Sequence, residues 1–135
     1  MNNLVSEFVL GVNPGLIREK VVIAPCWLPE SVGIAELIKI GSGACQIWDC
    51  LLQGKNFTYI VTGVGAASCM DIVFALNDTS CKDILFIGSA GGLKNGINIG
   101  DFAVPSAIVS GEGASRYICE KLTDDMFGKV FPIDD

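Results

Sequence analysis

Ser89 lies in Gly88-Ser89-Ala90-Gly91-Gly92-Leu93, a run of small residues that follows the apolar segment Ile84-Leu85-Phe86-Ile87. Glycines there let a ligand come within hydrogen-bond range of main-chain N–H groups, so the run suits a sugar or anion cradle. The same spacing suits a tight connection between two strands, and spacing alone leaves both readings open. The run is not Gly-x-Gly-x-x-Gly and lacks the lysine of a phosphate-binding loop, which disfavours nucleoside triphosphate chemistry. A second candidate is Thr62-Gly63-Val64-Gly65, just before an apolar helical period. The first amides of such a helix are free to meet a polar ligand, while the glycines equally permit close packing of helix on sheet.

The chain contains no histidine. Serine–histidine and cysteine–histidine nucleophile pairs are therefore excluded, and acid–base work must come from Asp, Glu, Lys, Tyr or Cys. Six cysteines occur, at 26, 45, 50, 69, 81 and 119. None forms a Cys-x-x-Cys pair, so no metal site is expected. With no export signal at Met1-Asn2-Asn3-Leu4 the thiols are expected to be buried and free, as in a cytoplasmic protein.

The elements that must carry these residues alternate. Lys20 to Cys26 is an apolar, β-branched run and reads as a buried strand. Glu30 to Ile38 shows helical spacing, with Pro29 in its first turn. Ala44–Leu52 and Phe57–Thr62 read as a hairpin around Gln53-Gly54-Lys55-Asn56. Cys69 to Leu76 has a helical period, Asp83 to Ile87 is a buried strand, and Asn98 to Val109 a further strand beyond the Ser89 turn. The expected fold is a single α/β domain over residues 1–135, its apolar strands covered on both faces.

Bulk properties narrow the partners. Half of the 135 residues are hydrophobic and only 18% are charged, below the usual quarter, so a real core and subunit contacts in a homo-oligomer are expected. The net charge is −6 and no Lys/Arg cluster occurs, which argues against nucleic acid as a partner. No apolar run reaches the length of a membrane span.

In this order of elements the chain resembles the nucleoside phosphorylase and nucleosidase superfamily, from about Val21 to Tyr117. The blocks that carry the resemblance are Thr62-Gly63-Val64-Gly65, Gly88-Ser89-Ala90-Gly91-Gly92-Leu93, Ile99-Gly100-Asp101 and Gly111-Glu112-Gly113-Ala114-Ser115. The Gly-Ser-Ala-Gly-Gly form is most like methylthioadenosine/S-adenosylhomocysteine nucleosidases. Gly-Glu-Gly-Ala-Ser-Arg-Tyr is more like uridine phosphorylases. The resemblance implies an α/β fold with a mixed central sheet flanked by helices, cleavage of the N-glycosidic bond of nucleosides, and no cofactor. It places Ser89 and Ala90 beside the sugar, Val64 against the ribose, and Gly91 and Gly92 on the base side, with Gly65 among the substrate-binding residues. Glu112 is either a ligand contact or a solvated loop carboxylate.

Two departures from the family pattern bear on the nucleophile. Where phosphorylases carry Gly-Asp-Pro-x-Arg after the first strand, this chain has Pro25-Cys26-Trp27-Leu28-Pro29-Glu30, and Phe86 stands where a second phosphate arginine is usual. Each charge-assisted contact is worth about 1.5–3 kcal/mol, so phosphate loses several kcal/mol of affinity and is a doubtful co-substrate. Nucleosidases instead carry a glutamate in this loop, and Glu30 is the candidate general base; a helix-start acid favoured by the dipole is the alternative. The resemblance covers the N-terminal half of such enzymes. The half that would hold the ribose hydroxyls and protonate the leaving base has no counterpart among these residues.

Overall fold

The computed structural model describes residues 3–114, 116 and 126–133. The chain divides into two compact units, Met1–Gly88 and Ser89–Asp135.

The first unit is built on a five-stranded sheet. Helix α1 (Asn3–Leu10) leads through a 3-10 turn (Pro14–Leu16) into β1 (Lys20–Ala24); a second 3-10 turn (Pro29–Val32) is followed by β2 (Glu36–Ser42), β3 (Gln46–Leu52), β4 (Lys55–Val61), helix α2 (Ala66–Leu76) and β5 (Asp83–Phe86). The order across the sheet is β2-β3-β4-β1-β5, with β1 parallel to both β4 and β5 and the β2-β3-β4 side antiparallel. The chain therefore passes from β4 through α2 to the far side of β1, a crossover only a long connection can make.

Side chains alternate across this sheet with the period of two that strands impose. Val21, Ile23, Ile47 and Ile60 point to one face, where Leu10 of α1 and Ile72, Ala75 and Leu76 of α2 complete a buried cluster. Ala24, Trp48, Cys50 and Tyr59 point to the other face and pack with Ile34. The helices are joined by the buried Ser6 hydroxyl, which donates to the Asp78 carboxylate.

The expected hairpin forms, with β3 and β4 paired in register from Gln46↔Val61 to Leu52↔Lys55. Its turn is tighter than the sequence suggests: only Gln53 and Gly54 lie outside the strands, both at positive φ (51° and 76°), as a two-residue type I′ turn requires. The helix expected over Glu30–Ile38 does not form. Pro29 starts a single 3-10 turn that ends at Gly33 (φ 83°), and the next residues pair as a strand, Leu37 opposite Cys50 and Ile38 opposite Asp49. Cross-strand partners outweighed a local helical spacing. Two other expectations are corrected. Strand β5 is exposed along its length, with Ile84, Leu85 and Phe86 at 44–60%. Cys26 is exposed, while Cys45 and Cys50 are the buried thiols; Cys119 lies outside the described residues.

The second unit carries one two-stranded antiparallel ribbon, β6 (Ala107–Val109) with β7 (Val130–Pro132), registered Ile108↔Phe131. The strand expected from Asn98 shrinks to these three residues. Asn98 and Asp101 are instead locked in a turn: the Asp101 carboxylate accepts from the Asn98 N–H at 2.7 Å, and the Asp101 N–H donates to the Asn98 carbonyl at 3.1 Å. No helix among the described residues is long and apolar enough to cross a membrane.

Candidate functional site

Because β4, β1 and β5 run parallel, their carboxyl ends open on one edge of the first unit's sheet. In open α/β sheets this is the edge at which ligands bind. Three segments leave it: Pro25–Glu30 after β1, Thr62–Gly65 after β4, and Ile87-Gly88 after β5. None of these contains a lysine or an arginine, and Glu30 is their one acid. These three segments thus supply none of the cations an anionic co-substrate would need.

The register sets the height of the first two segments. Ala24 pairs with Val61, and the Thr62 N–H continues the ladder by donating to the Ala24 carbonyl at 3.2 Å. Thr62 is buried and its hydroxyl donates to the Gly63 carbonyl at 2.9 Å, so the side chain is used to shape the turn. Val64 stands out at 83% exposed, and Gly65 caps α2 without a side-chain bond. The first N–H groups of α2 have no partner within the helix. Glu30 sits in the 3-10 turn with an exposed side chain, beside the half-exposed Trp27 and Leu28.

One side chain ties the β1 loop down from below. Tyr59, fully buried in β4, donates its hydroxyl to the Trp27 carbonyl at 2.9 Å and meets Trp48 edge-on, ring centroids 6.4 Å apart. Burial raises the tyrosine pKa, with Cys50 and Cys26 adding to the effect. Cys50 is pushed up to about 11 by burial first, then by Asp49 and by the Glu30 carboxylate. At neutral pH both groups are neutral, and Tyr59 keeps the proton its hydrogen bond requires.

In the second unit, Ser89, Ala90, Gly91 and Gly92 are exposed and irregular. A Cβ on Gly91 would meet nothing, whereas one on Gly92 would lie 2.8 Å from Ile97 Cγ2, so Gly92 is a close-packing glycine. Glu112 is exposed and its carboxylate accepts from the Ala114 N–H at 2.7 Å, which gives it a turn-forming role. Ser115 and Tyr117 of that motif lie outside the described residues.

Two cavities of the first unit lie elsewhere, at the amino ends of the parallel strands. One, of about 360 Å³, is lined by Leu16, Arg18, Ile40, Asp49 and Ser80; the other, of about 370 Å³, by Lys20, Val22, Leu52, Phe57, Asp83 and Leu85. The Arg18 guanidinium is committed to Asp49 through two bonds, Nε at 2.9 Å and Nη2 at 2.6 Å. No predicted site residue lines either cavity. Among the described residues no group of three or more His, Cys, Asp and Glu side chains is placed to hold a metal ion. Sequence reasoning missed Tyr59 and the Arg18–Asp49 pair; both join residues about thirty positions apart in sequence, and no local pattern marks them.

A mixed sheet with a βαβ crossover, and glycine-bearing loops at the carboxyl ends of its parallel strands, defines an α/β protein. The model of the phosphorylase superfamily matches residues 28–132, and the chain belongs to that family. No curated protein is similar enough in sequence to count as a relative. Among solved structures, the uridine phosphorylase of Vibrio fischeri ES114 is similar with a TM-score of 0.70 and 21% identity, over 81% of this chain and 47% of that one. The same enzyme complexed with 6-hydroxy-1-naphthoic acid gives 0.68 and 21%, over 78% and 45%. This likeness is one of fold, and the chain spans about half the length of those structures.

Proposed function

We propose that this chain serves in cleavage of the N-glycosidic bond of nucleosides, in nucleoside salvage, with water as the nucleophile. The observation that carries the reading is the sheet edge itself: Glu30 is the acid of the three segments leaving it, and no lysine or arginine accompanies it. In the proposed step Glu30 takes a proton from water as its oxygen bonds to the sugar's anomeric carbon. The carbon–nitrogen bond breaks through a cationic sugar, and the base leaves with a proton from an acid. That acid and the groups for the ribose hydroxyls belong, in this reading, to polypeptide equivalent to the other half of the fold. The resemblance supports assigning Ser89 and Ala90 to the sugar, Val64 to the ribose, Gly91 and Gly92 to the base, and Gly65 to substrate binding. Leu93, Ile99, Phe102 and Val104, each at least 91% exposed, support burial of this surface in a larger assembly.

The test is base release from uridine, inosine, adenosine and methylthioadenosine, with and without phosphate. Hydrolysis predicts free sugar at a rate phosphate does not change, and Glu30→Gln lowers that rate about 10²–10⁴-fold. Strict phosphate dependence would reject water in favour of a second reading, phosphorolysis, which the fold likeness to uridine phosphorylase favours.

A further inference from the structure

From the hydrogen bond that the buried Tyr59 donates to the exposed loop residue Trp27 we infer that this tyrosine is a positioning residue: it holds the loop after β1 in the one conformation that presents Glu30 at the carboxyl edge of the sheet. The inference rests on the function proposed for Glu30, but its physical content stands apart from catalysis.

The loop from Pro25 to Leu28 has little else to fix it. Cys26 is exposed, Trp27 is 41% exposed and Leu28 44%. The 3-10 turn that follows is closed by its own bonds, Ser31 N–H to the Leu28 carbonyl at 2.9 Å, Gly33 N–H to Glu30 at 3.1 Å and Ile34 N–H to Pro29 at 3.0 Å. Those bonds set the shape of the turn; its far end is seated on the sheet by the buried Pro29 and Ile34, and its near end depends on the loop that leads into it. Below, Pro29 and Ile34 are buried; in the loop itself the Trp27 carbonyl is gripped by Tyr59.

Tyr59 is well made for such a grip. It is 0% exposed at the centre of β4, between Thr58 and Ile60, which are also fully buried, and its ring is braced by Trp48. A phenol on a rigid strand gives up little conformational freedom when its hydroxyl bonds, so the order of the sheet is passed to the loop at small entropic cost. The bond reaches position 27, three residues before Glu30. A lysine or arginine in this loop would be steered by an anion; a lone carboxylate has no such guide and depends on the backbone that carries it.

The experiment compares the unaltered chain with Tyr59→Phe, which removes the hydroxyl and keeps the ring. Amide hydrogen exchange is read at Ser31, Gly33 and Ile34, with Val22 and Ile60 as sheet controls. The expected result is exchange about three- to tenfold faster at the three turn amides and unchanged in the sheet. Equal exchange throughout overturns the inference, whatever the activity of the protein. Faster exchange in the sheet as well shows a merely structural tyrosine and also overturns it. Where base release is measurable, the variant lowers kcat with KM nearly unchanged and leaves the midpoint of the pH profile in place, as loss of alignment predicts. A chain that releases no base removes the function proposed for Glu30 and leaves the exchange result to decide the tether.

Discussion

Both units of this chain carry large apolar side chains, and they bury them very differently. Among the described residues, every member of the buried hydrophobic core, from Leu10 to Leu76, lies in the first unit. In the second, Leu93, Ile99, Phe102 and Val104 are almost wholly exposed, and the described regular structure is a ribbon of two three-residue strands. The difference teaches that an apolar pattern marks what a segment is able to bury, while burial itself needs a partner surface close in the fold. In the first unit α1 and α2 supply that surface to one face of the sheet. Strand β5, at the sheet's edge, already shows the other condition.

The largest effect expected from this contrast is in truncation. Ile60→Ala, at the middle of β4 and fully buried, should cost about 2–5 kcal/mol, because the methyl and methylene groups lost leave a cavity the parallel strands cannot close. Phe102→Ala, at a residue 102% exposed, should change stability by no more than about 0.5 kcal/mol. Denaturant unfolding of both variants measures the pair. Equal costs would mean that Phe102 is packed in solution and that the two units do not differ as described.

The glycines sharpen the comparison at a smaller scale. Gly11 has φ +65°, and a Cβ there would lie 2.6 Å from the backbone nitrogen of Gly43, which cannot move without disturbing the β2–β3 connection. At Gly92 the obstructing atom is Cγ2 of Ile97, 2.8 Å away on a side chain 54% exposed and free to turn. Gly11→Ala is therefore expected to cost about 1–3 kcal/mol and Gly92→Ala less than about 1 kcal/mol, read from the same unfolding midpoints. A larger loss at Gly92 would show that Ile97 is held in place.

How much of this was legible in the sequence follows the same division. The β3–β4 hairpin, β1, α2 and the α/β class were readable because period and turn chemistry agree there with the partners available. Residues 30–38 were not: their spacing fits a helix, and only pairing with β3, eleven or more residues away, makes 36–38 the start of a strand. The Asn98–Val109 stretch failed for the reverse reason, since its alternation suits a strand that finds a partner only at Ala107–Val109. At the candidate site, Glu30, Val64 and Gly65 were legible only as residues of segments that follow strands; that they share one edge comes from the parallel pairing of β1 with β4. Tyr59 could not, because its bond to Trp27 depends on which face of β4 lies under the β1 loop.

The smallest effect concerns the charged pair that closes the first unit at its amino edge. Arg18 holds the Asp49 carboxyl below the ordinary carboxylate range, chiefly by hydrogen bonding, and Asp49 in turn raises the arginine. A carboxylate whose folded pKa lies below its unfolded value adds stability above the unfolded value and loses it as pH falls through the folded one. The side chains are 46% and 26% exposed, so water and salt screen the pair and its contribution is at most about 1 kcal/mol. Asp49→Asn should therefore lower stability by that amount or less at pH 7. The gap should narrow as pH is taken below the ordinary carboxylate range, and at pH 7 it should shrink in 1 M salt. An acid limb of unfolding that is the same in Asp49→Asn as in the unaltered chain would place the pH-sensitive stability outside this pair and remove it from the contrast.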